Sequence, residues 1–281
     1  MLPQIRQFLL SRNDTPDLSL KTMPELNDFI FGIRKKELTI IGARPSEGKS
    51  TFAAQMALDL ASQGHLVLFL SLEMTVEKIG ARIFCYQQRF NNRNAFRGGV
   101  VKELSRFDAF EREIGGYPLI INDMLGKDWK EIDDLITHTD LRPEVIIVDY
   151  IQTIARSVRM NRLDEVDQYI RHFREMAIRK NFAGVVCSQI NRSAQDSTDK
   201  RPQLHQLKQS GFLEEHADLA ILLHWPYKYG DGNINRFTCF VAKNKDGQTG
   251  YIKLKFNPEY YAFEDWVQEL EPAKKEIDWT E

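Results

Sequence analysis

Ile40-Ile41-Gly42-Ala43-Arg44-Pro45-Ser46-Glu47-Gly48-Lys49-Ser50-Thr51 is the stretch whose reading decides the architecture. An apolar run, residues 38–41, leads into a turn of small residues and proline, and a helical pattern over residues 50–63 follows. Strand, turn and helix in immediate succession are the context that a G-x-x-x-x-G-K-[ST] loop requires. Backbone N–H groups of such a turn and of the helix N-terminus converge on a phosphate, so Ala43, Arg44, Pro45, Ser46, Glu47, Gly48, Lys49, Ser50 and Thr51 form a candidate phosphate cradle. Lys49 is expected to reach the β- and γ-phosphates and the Ser50 hydroxyl to hold magnesium. Ala43 stands where the strict pattern has glycine, so the loop is a variant.

Outward from this loop the chain alternates. Near-continuous apolar runs at residues 66–70, 145–148, 183–187 and 219–223 suit strands buried on both faces. Helical patterns at 50–63, 76–89 and 163–180 lie between several of them, which predicts an α/β fold with a mostly parallel twisted sheet flanked by helices. Residues 236–243 and 251–256 flank Asp246-Gly247 and read as a hairpin, so antiparallel strands are expected at the C-terminal end. Thr22-Met23-Pro24-Glu25 reads as a capping box opening a helix over 23–31. Residues 88–99, with several Arg and Asn, read as a surface loop.

In such a sheet, ligands sit beyond the carboxyl ends of the strands. Asp149 ends the run 145–148 and is placed to support magnesium. Glu73 follows the run 66–70 and is placed to orient or deprotonate a water. Gln189 follows the run 183–187 and could contact a γ-phosphate without adding charge.

Composition bounds the alternatives. The chain has 281 residues, 42% hydrophobic and 28% charged, with a formal net charge of −2, and reads as a soluble globular protein. No apolar run reaches the roughly 18–20 residues of a spanning helix, and the N-terminus lacks a cleavable leader pattern, so a cytoplasmic location without membrane contact is expected. Cys85, Cys187 and Cys239 match no metal or redox spacing and read as reduced, buried thiols. The scattered histidines give no zinc pattern, and no G-x-S-x-G elbow is present. Trp225 and Trp266 read as packing residues rather than a base-stacking platform. The expected organisation is a linker with a short amphipathic segment over residues 1–20, a core over 21–263, and an acidic tail over 264–281 with seven acids and two lysines.

With these elements together the chain resembles the ATPase domain of the DnaB-type replicative DNA helicases, within the RecA-like motors. The matching stretches are the loop above, Phe69-Leu70-Ser71-Leu72-Glu73-Met74, Val148-Asp149-Tyr150-Ile151-Gln152, Ser188-Gln189-Ile190-Asn191-Arg192, Lys200-Arg201-Pro202 and residues 243–247. The alanine at 43 is usual in that family. The resemblance implies a RecA-like P-loop NTPase core that takes ATP and Mg²⁺, with Glu73 polarising water, and Gln152 and Gln189 coupling the γ-phosphate to DNA-facing loops. It implies a ring-shaped homo-oligomer, usually a hexamer, with nucleotide at each subunit interface and Lys243 and Lys245 reaching a neighbour's γ-phosphate. The family has arginine where Lys245 stands; lysine keeps the charge without the planar fork, which bears on turnover rather than on nucleotide binding.

The family's inner DNA loop aligns with Leu207-Lys208-Gln209-Ser210-Gly211, where Lys208-Gln209 replaces the usual Arg-Glu pair. Lys208 and the Gly211 N–H are then the phosphate contacts, with Arg192, Lys200 and Arg201 upstream and Arg156, Arg159 and Arg162 as a second basic cluster. Phosphate contacts without base stacking imply sequence-independent, salt-sensitive binding to single-stranded DNA. The implied function is a 5'-3' helicase motor in replication, with primase or a helicase loader as further partners. The alternative is a DNA-binding ATPase switch or loader without processive unwinding. The family carries an N-terminal domain where this chain has about 20 residues, so the chain reads as an excised domain or a single-domain relative.

Overall fold

The computed structural model describes Arg6 and residues 18–154, 162–190, 200–207 and 210–267, with Arg162, Leu163 and Ser210 by backbone alone. In chain order the elements are α1 (Pro24–Ile30), β1 (Leu38–Ala43), α2 (Lys49–Ser62), β2 (Val67–Ser71), α3 (Val76–Gln87), α4 (Asn92–Ala95), α5 (Leu104–Ile114), β3 (Leu119–Asp123), α6 (Trp129–His138), β4 (Val145–Asp149), α7 (Arg162–Lys180), β5 (Ala183–Gln189), α8 (Ser210–His216), β6 (Leu219–His224), β7 (Arg236–Asn244), β8 (Gly250–Asn257) and β9 (Ala262–Asp265). The strands form one sheet in the order β3-β2-β4-β5-β1-β6-β7-β8-β9. From β3 to β6 neighbouring strands pair in parallel. From β6 onward the pairs are antiparallel.

The period-2 alternation of a strand explains why β1 reads as an unbroken apolar run. Ile41 and Ala43 face one core with Phe52, Phe69, Phe237 and Phe263, whereas Leu38 and Ile40 face the other with Trp129, Phe173 and Phe182. Every residue of β1, β2, β4 and β6 is buried. The alanine-rich α2 is buried nearly all round, with residues 50–61 all covered, because β9 and the N-terminal segment pack on its far side. Its Gln55 amide donates to the Phe263 carbonyl at 2.7 Å and accepts from the Phe263 N–H at 2.8 Å.

Several expectations need correction. β3 is absent from the reading above: its Leu-Ile-Ile run is short, and as an edge strand it is only half-buried. The helix at 24–30 forms without its capping box, since Met23 is the N-cap and makes no side-chain cap. Thr22 turns instead to Asp59 of α2, donating from its N–H at 2.9 Å and its hydroxyl at 3.0 Å. Residues 88–99 are not a bare surface loop. Phe90 is buried with its ring 5.3 Å from Phe84, α4 forms, and Asn92 Nδ2 donates to the Pro258 carbonyl at 2.7 Å. β9 runs to Asp265, and Leu18 and Leu20 are fully buried. The amphipathic segment 3–10, apart from Arg6, and residues 268–281 lie outside the described residues. Among the described residues no helix is long and apolar enough to cross a membrane.

Candidate active site

The parallel register brings Ala43 beside Gln189 and Ser71 beside Asp149 at one edge of the sheet. Ala43 is still on β1 and its methyl packs into the core, which is why a side chain is tolerated at the first loop position. Gly48 differs. Its φ is +82°, and a Cβ there would lie 3.0 Å from Phe263 Cζ, so both backbone conformation and packing demand glycine. Gly48 is the N-cap of α2, and among the described residues no side chain caps that N-terminus. The orphan N–H groups of the first turn therefore open onto the cavity, as an anion site requires.

A cavity of about 650 Å³ lies at this edge, lined by Ala43, Arg44, Pro45, Ser46, Gly48, Lys49, Ser50 and Thr51 together with Glu73, Tyr150 and Gln189. Lys49 Nζ pairs with Asp149 Oδ1 and lies 4.2 Å from the Tyr150 ring centroid. Burial pulls the Lys49 ammonium down, but Asp149 foremost, then the neighbouring Cys187 and Glu73, hold its pKa above the ordinary lysine value. Asp149 is wholly buried, and its Oδ2 has no N–H or O–H donor among the described residues. The Cys187 thiol beside it is pushed well up, by burial first and the Asp149 charge second. Gln152 Nε2 donates to Ser188 Oγ at 2.7 Å, and its Oε1 accepts the Gln189 N–H at 3.1 Å, so these two glutamines are mechanically joined.

These features fit a triphosphate with a divalent ion. An uncapped helix N-terminus and a lysine offer positive charge, while the Ser50 hydroxyl and the orphaned Asp149 Oδ2 are hard oxygen donors.

The remaining expected residues fall elsewhere. Glu47 is a correction: its side chain is buried away from the cavity, accepts a hydrogen bond from the Tyr229 hydroxyl, and its N–H is bonded to the Arg44 carbonyl at 3.2 Å. Burial raises its carboxyl above the ordinary glutamate value. Lys243 and Lys245 sit at the opposite edge: Lys243 pairs with Ala220 near the start of β6, whereas Ala43 pairs with Leu223 near its end. Lys243 Nζ donates to the Glu214 and Glu215 carbonyls at 2.7 and 3.2 Å, and Lys245 Nζ lies 3.5 Å from Asp218 Oδ1. Lys200 is partly exposed, and Arg201 and Gly211 are exposed. Arg192, Lys208, Gln209, Arg156 and Arg159 lie outside the described residues, as does the side chain of Arg162.

Met74, Lys78, Arg82, Asn92, Trp225, Phe256, Pro258 and Tyr261 complete the cavity wall and were not among the expected site residues. Arg82 Nη1 donates to Thr51 Oγ1 at 3.3 Å and its guanidinium lies 5.4 Å from the Tyr261 ring centroid. Trp225 packs edge-on against Phe256 as a core residue does, yet it also faces the cavity. None of these carries a local motif; only the folded chain assembles them.

The family described as DnaB-like helicase C terminal domain matches residues 20–265. A probable replicative DNA helicase of Trieres chinensis is 28% identical over 255 residues, covering 86% of this chain and 56% of that protein. Replicative DNA helicase DnaC of Bacillus subtilis (strain 168) is 28% identical over 259 residues, covering 89% and 57%. A probable plasmid replicative DNA helicase of Chlamydia psittaci is 30% identical over 233 residues, covering 80% and 50%. The chain thus spans about half the length of these relatives. Among solved structures, a DnaB-like replicative helicase described with its interactions with primase superposes with a TM-score of 0.86 at 24% identity, covering 95% of this chain and 68% of that one. A second solved chain, an ATPase domain, does so with a TM-score of 0.82 at 24% identity, covering 95% and 97%. Both share the fold. With one family spanning the sheet from the buried Leu20 to the end of β9, the chain belongs to the DnaB-like helicase C-terminal domain family.

Proposed function

We propose that this chain is the ATP-hydrolysing motor core of a replicative-type DNA helicase, acting as a ring of like subunits on single-stranded DNA. The observation that carries the reading is the convergence of Lys49, Glu73 and Gln189, at or beyond the ends of three separate strands, on the wall of a single cavity, with the buried Asp149 at the end of β4 paired to Lys49. Lys49 and the open N–H groups of α2 bind phosphate oxygens. Ser50 and Asp149 are the residues that would hold Mg²⁺, which supplies charge neutralisation of the phosphates when bound. Glu73, exposed to the cavity, orients the attacking water and takes its proton. Phosphoryl transfer needs little covalent help, so positioning and charge stabilisation carry most of the catalysis. The Gln189–Gln152–Ser188 contacts give a γ-phosphate-sensing amide a fixed connection to the end of β4.

Lys200, Arg201 and Gly211, with Arg192, Lys208 and Gln209, are the proposed contacts to DNA phosphates. Lys243 and Lys245 are the proposed contacts to a neighbouring subunit's nucleotide, and primase or a loader is the proposed protein partner of the assembly in the cytoplasm. A forked-duplex assay tests the reading: ATP- and Mg²⁺-dependent strand separation supports it, and ATP hydrolysis that single strands do not stimulate sinks it. The engagement of Lys243 by the end of α8 and of Lys245 by Asp218 favours a second reading, a DNA-binding ATPase switch or loader. DNA-stimulated hydrolysis without strand separation would select it.

A further inference from the structure

The phosphate loop is tied at three consecutive residues to the chain that follows β5. At Gly42, the space a Cβ would take is filled by Leu207 Cδ2, only 2.6 Å from that position. At Ala43, the carbonyl accepts the Ile190 N–H at 2.8 Å, and Ile190 forms an antiparallel bridge with Leu207. At Arg44, the tie runs through a side chain. Its guanidinium, 2% exposed, donates from Nη1 to the Lys200 carbonyl at 2.6 Å and to the Tyr229 hydroxyl at 3.0 Å. The Arg44 Cζ stands 5.1 Å from the Tyr229 ring centroid. Tyr229, at the end of the short helix Pro226–Tyr229, stacks on His224 of β6 and donates its hydroxyl to the Glu47 carboxylate. One aromatic ring therefore braces both arms of the loop.

Phosphate binding does not require this arrangement. A cation at position 44 could serve a phosphate directly, yet its Nη1 is engaged by a main-chain oxygen of the segment 200–207. Burying a guanidinium is costly, and here Nη1 meets two oxygens while Nε has no acceptor among the described residues, so the Nη1 contacts hold Arg44 and those partners together.

We propose that Arg44 is a positioning residue that couples the loop's occupancy by nucleotide to the placement of residues 200–207, and so sets how nucleotide changes the affinity of Lys200 and Arg201 for DNA phosphates. This rests on the motor reading above. Coupling between two sites is a reciprocal ratio of affinities, so the quantity to read is that ratio rather than either affinity alone. The experiment measures binding of a fluorescent oligo-dT strand to the full, assembled chain, with and without a non-hydrolysable ATP analogue and Mg²⁺.

In Arg44→Gln the ratio is expected to fall toward one, by about fivefold or more where the parent shows typical coupling. Arg44→Lys is expected to fail similarly, because its ammonium ends one atom short of Nη1, which meets both oxygens. Tyr229→Phe removes one hydroxyl and is expected to lower the ratio part-way; where Arg44→Gln does not assemble, this variant carries the test. A merely structural role would weaken DNA binding equally with and without nucleotide and leave the ratio at the parent value, which overturns the proposal. A parent chain with no affinity for the strand sinks the motor reading and the coupling together. Parent coupling that survives the substitutions sinks the coupling alone.

Discussion

Lys49 is pulled in two directions, and the balance makes it testable beyond activity. Burial disfavours its charge, while the wholly buried Asp149 demands it. Lys49→Ala is expected to bring ATP hydrolysis to background, since no other loop side chain facing the cavity offers an ammonium. It should also cost about 3–5 kcal/mol in urea unfolding, because a buried carboxylate loses its partner. A variant that hydrolyses ATP normally would show that the site lies elsewhere. Glu73→Gln keeps shape and exposure while losing the proton acceptor. Nucleotide binding should persist and turnover fall by at least about 10²-fold, and single-turnover kinetics with labelled ATP read both. Glu47 gives a pH signature instead. Burial raises its carboxyl, so the folded chain holds that proton more tightly than the unfolded chain. Between the two values the folded state binds more protons, and stability falls as pH rises through that window. Glu47→Gln removes this contribution. Its Tm relative to the parent should rise as pH climbs from the ordinary glutamate value through the raised one, and stay flat below; a parallel pair of Tm curves would refute the assignment.

At the scale of elements, what could be read beforehand follows from where each strand's information lies. β1, β2, β4, β5 and β6 are sandwiched between helices, so their burial is written locally as apolar runs. β3 and β9 are edges, one half-buried and one ending in Glu264-Asp265, and neither announces itself in that way. The phosphate loop was legible because Lys49 and Asp149 each stand on their own local signal. The Arg44–Tyr229–Glu47 brace was not, since Tyr229 is 182 residues from Glu47 and only the fold joins them. The Thr22 capping box failed for a related reason: Asp59, 37 residues on, outcompetes the helix end for that hydroxyl. The N-terminal segment carries the consequence for stability. Leu18 and Leu20 are fully buried, the Leu18 carbonyl accepts the Ile33 N–H at 2.9 Å, and Gln63 Nε2 reaches the Ser19 carbonyl at 2.8 Å. A chain beginning at residue 21 should lose about 3–6 kcal/mol in urea unfolding, from two leucine side chains at about 1.5–3 kcal/mol each. A chain beginning at residue 18 should keep nearly all of it, and equal stability of the two would show that these leucines add nothing.

For the whole molecule, the separation of the two lysine sets is decisive. Lys49 lies at the carboxyl edge of the parallel strands, and Lys243 and Lys245 lie at the other edge of the same sheet. No rearrangement of one subunit that preserves the β6–β7 pairing brings them to their own cavity, so any contribution to phosphoryl transfer must come from the adjacent copy. A head-to-tail interface provides that, and such interfaces close into a ring when the rotation between copies closes. Mixing then separates a role across the interface from a role within the subunit. Lys49→Ala destroys the cavity of its own subunit but leaves its Lys245 intact; Lys245→Ala does the reverse. Each protein alone should be nearly inactive, because every interface lacks one partner. In an equal mixture, about one quarter of the interfaces should pair an intact cavity with an intact Lys245, and DNA-stimulated hydrolysis should recover in proportion. If Lys245 serves only to pair with Asp218 in its own chain, no mixture can exceed the average of the two proteins measured apart. Lys245→Arg measured alone asks whether the planar fork raises the rate, and a higher turnover than the parent is expected, since arginine spreads two donors where lysine offers a point charge.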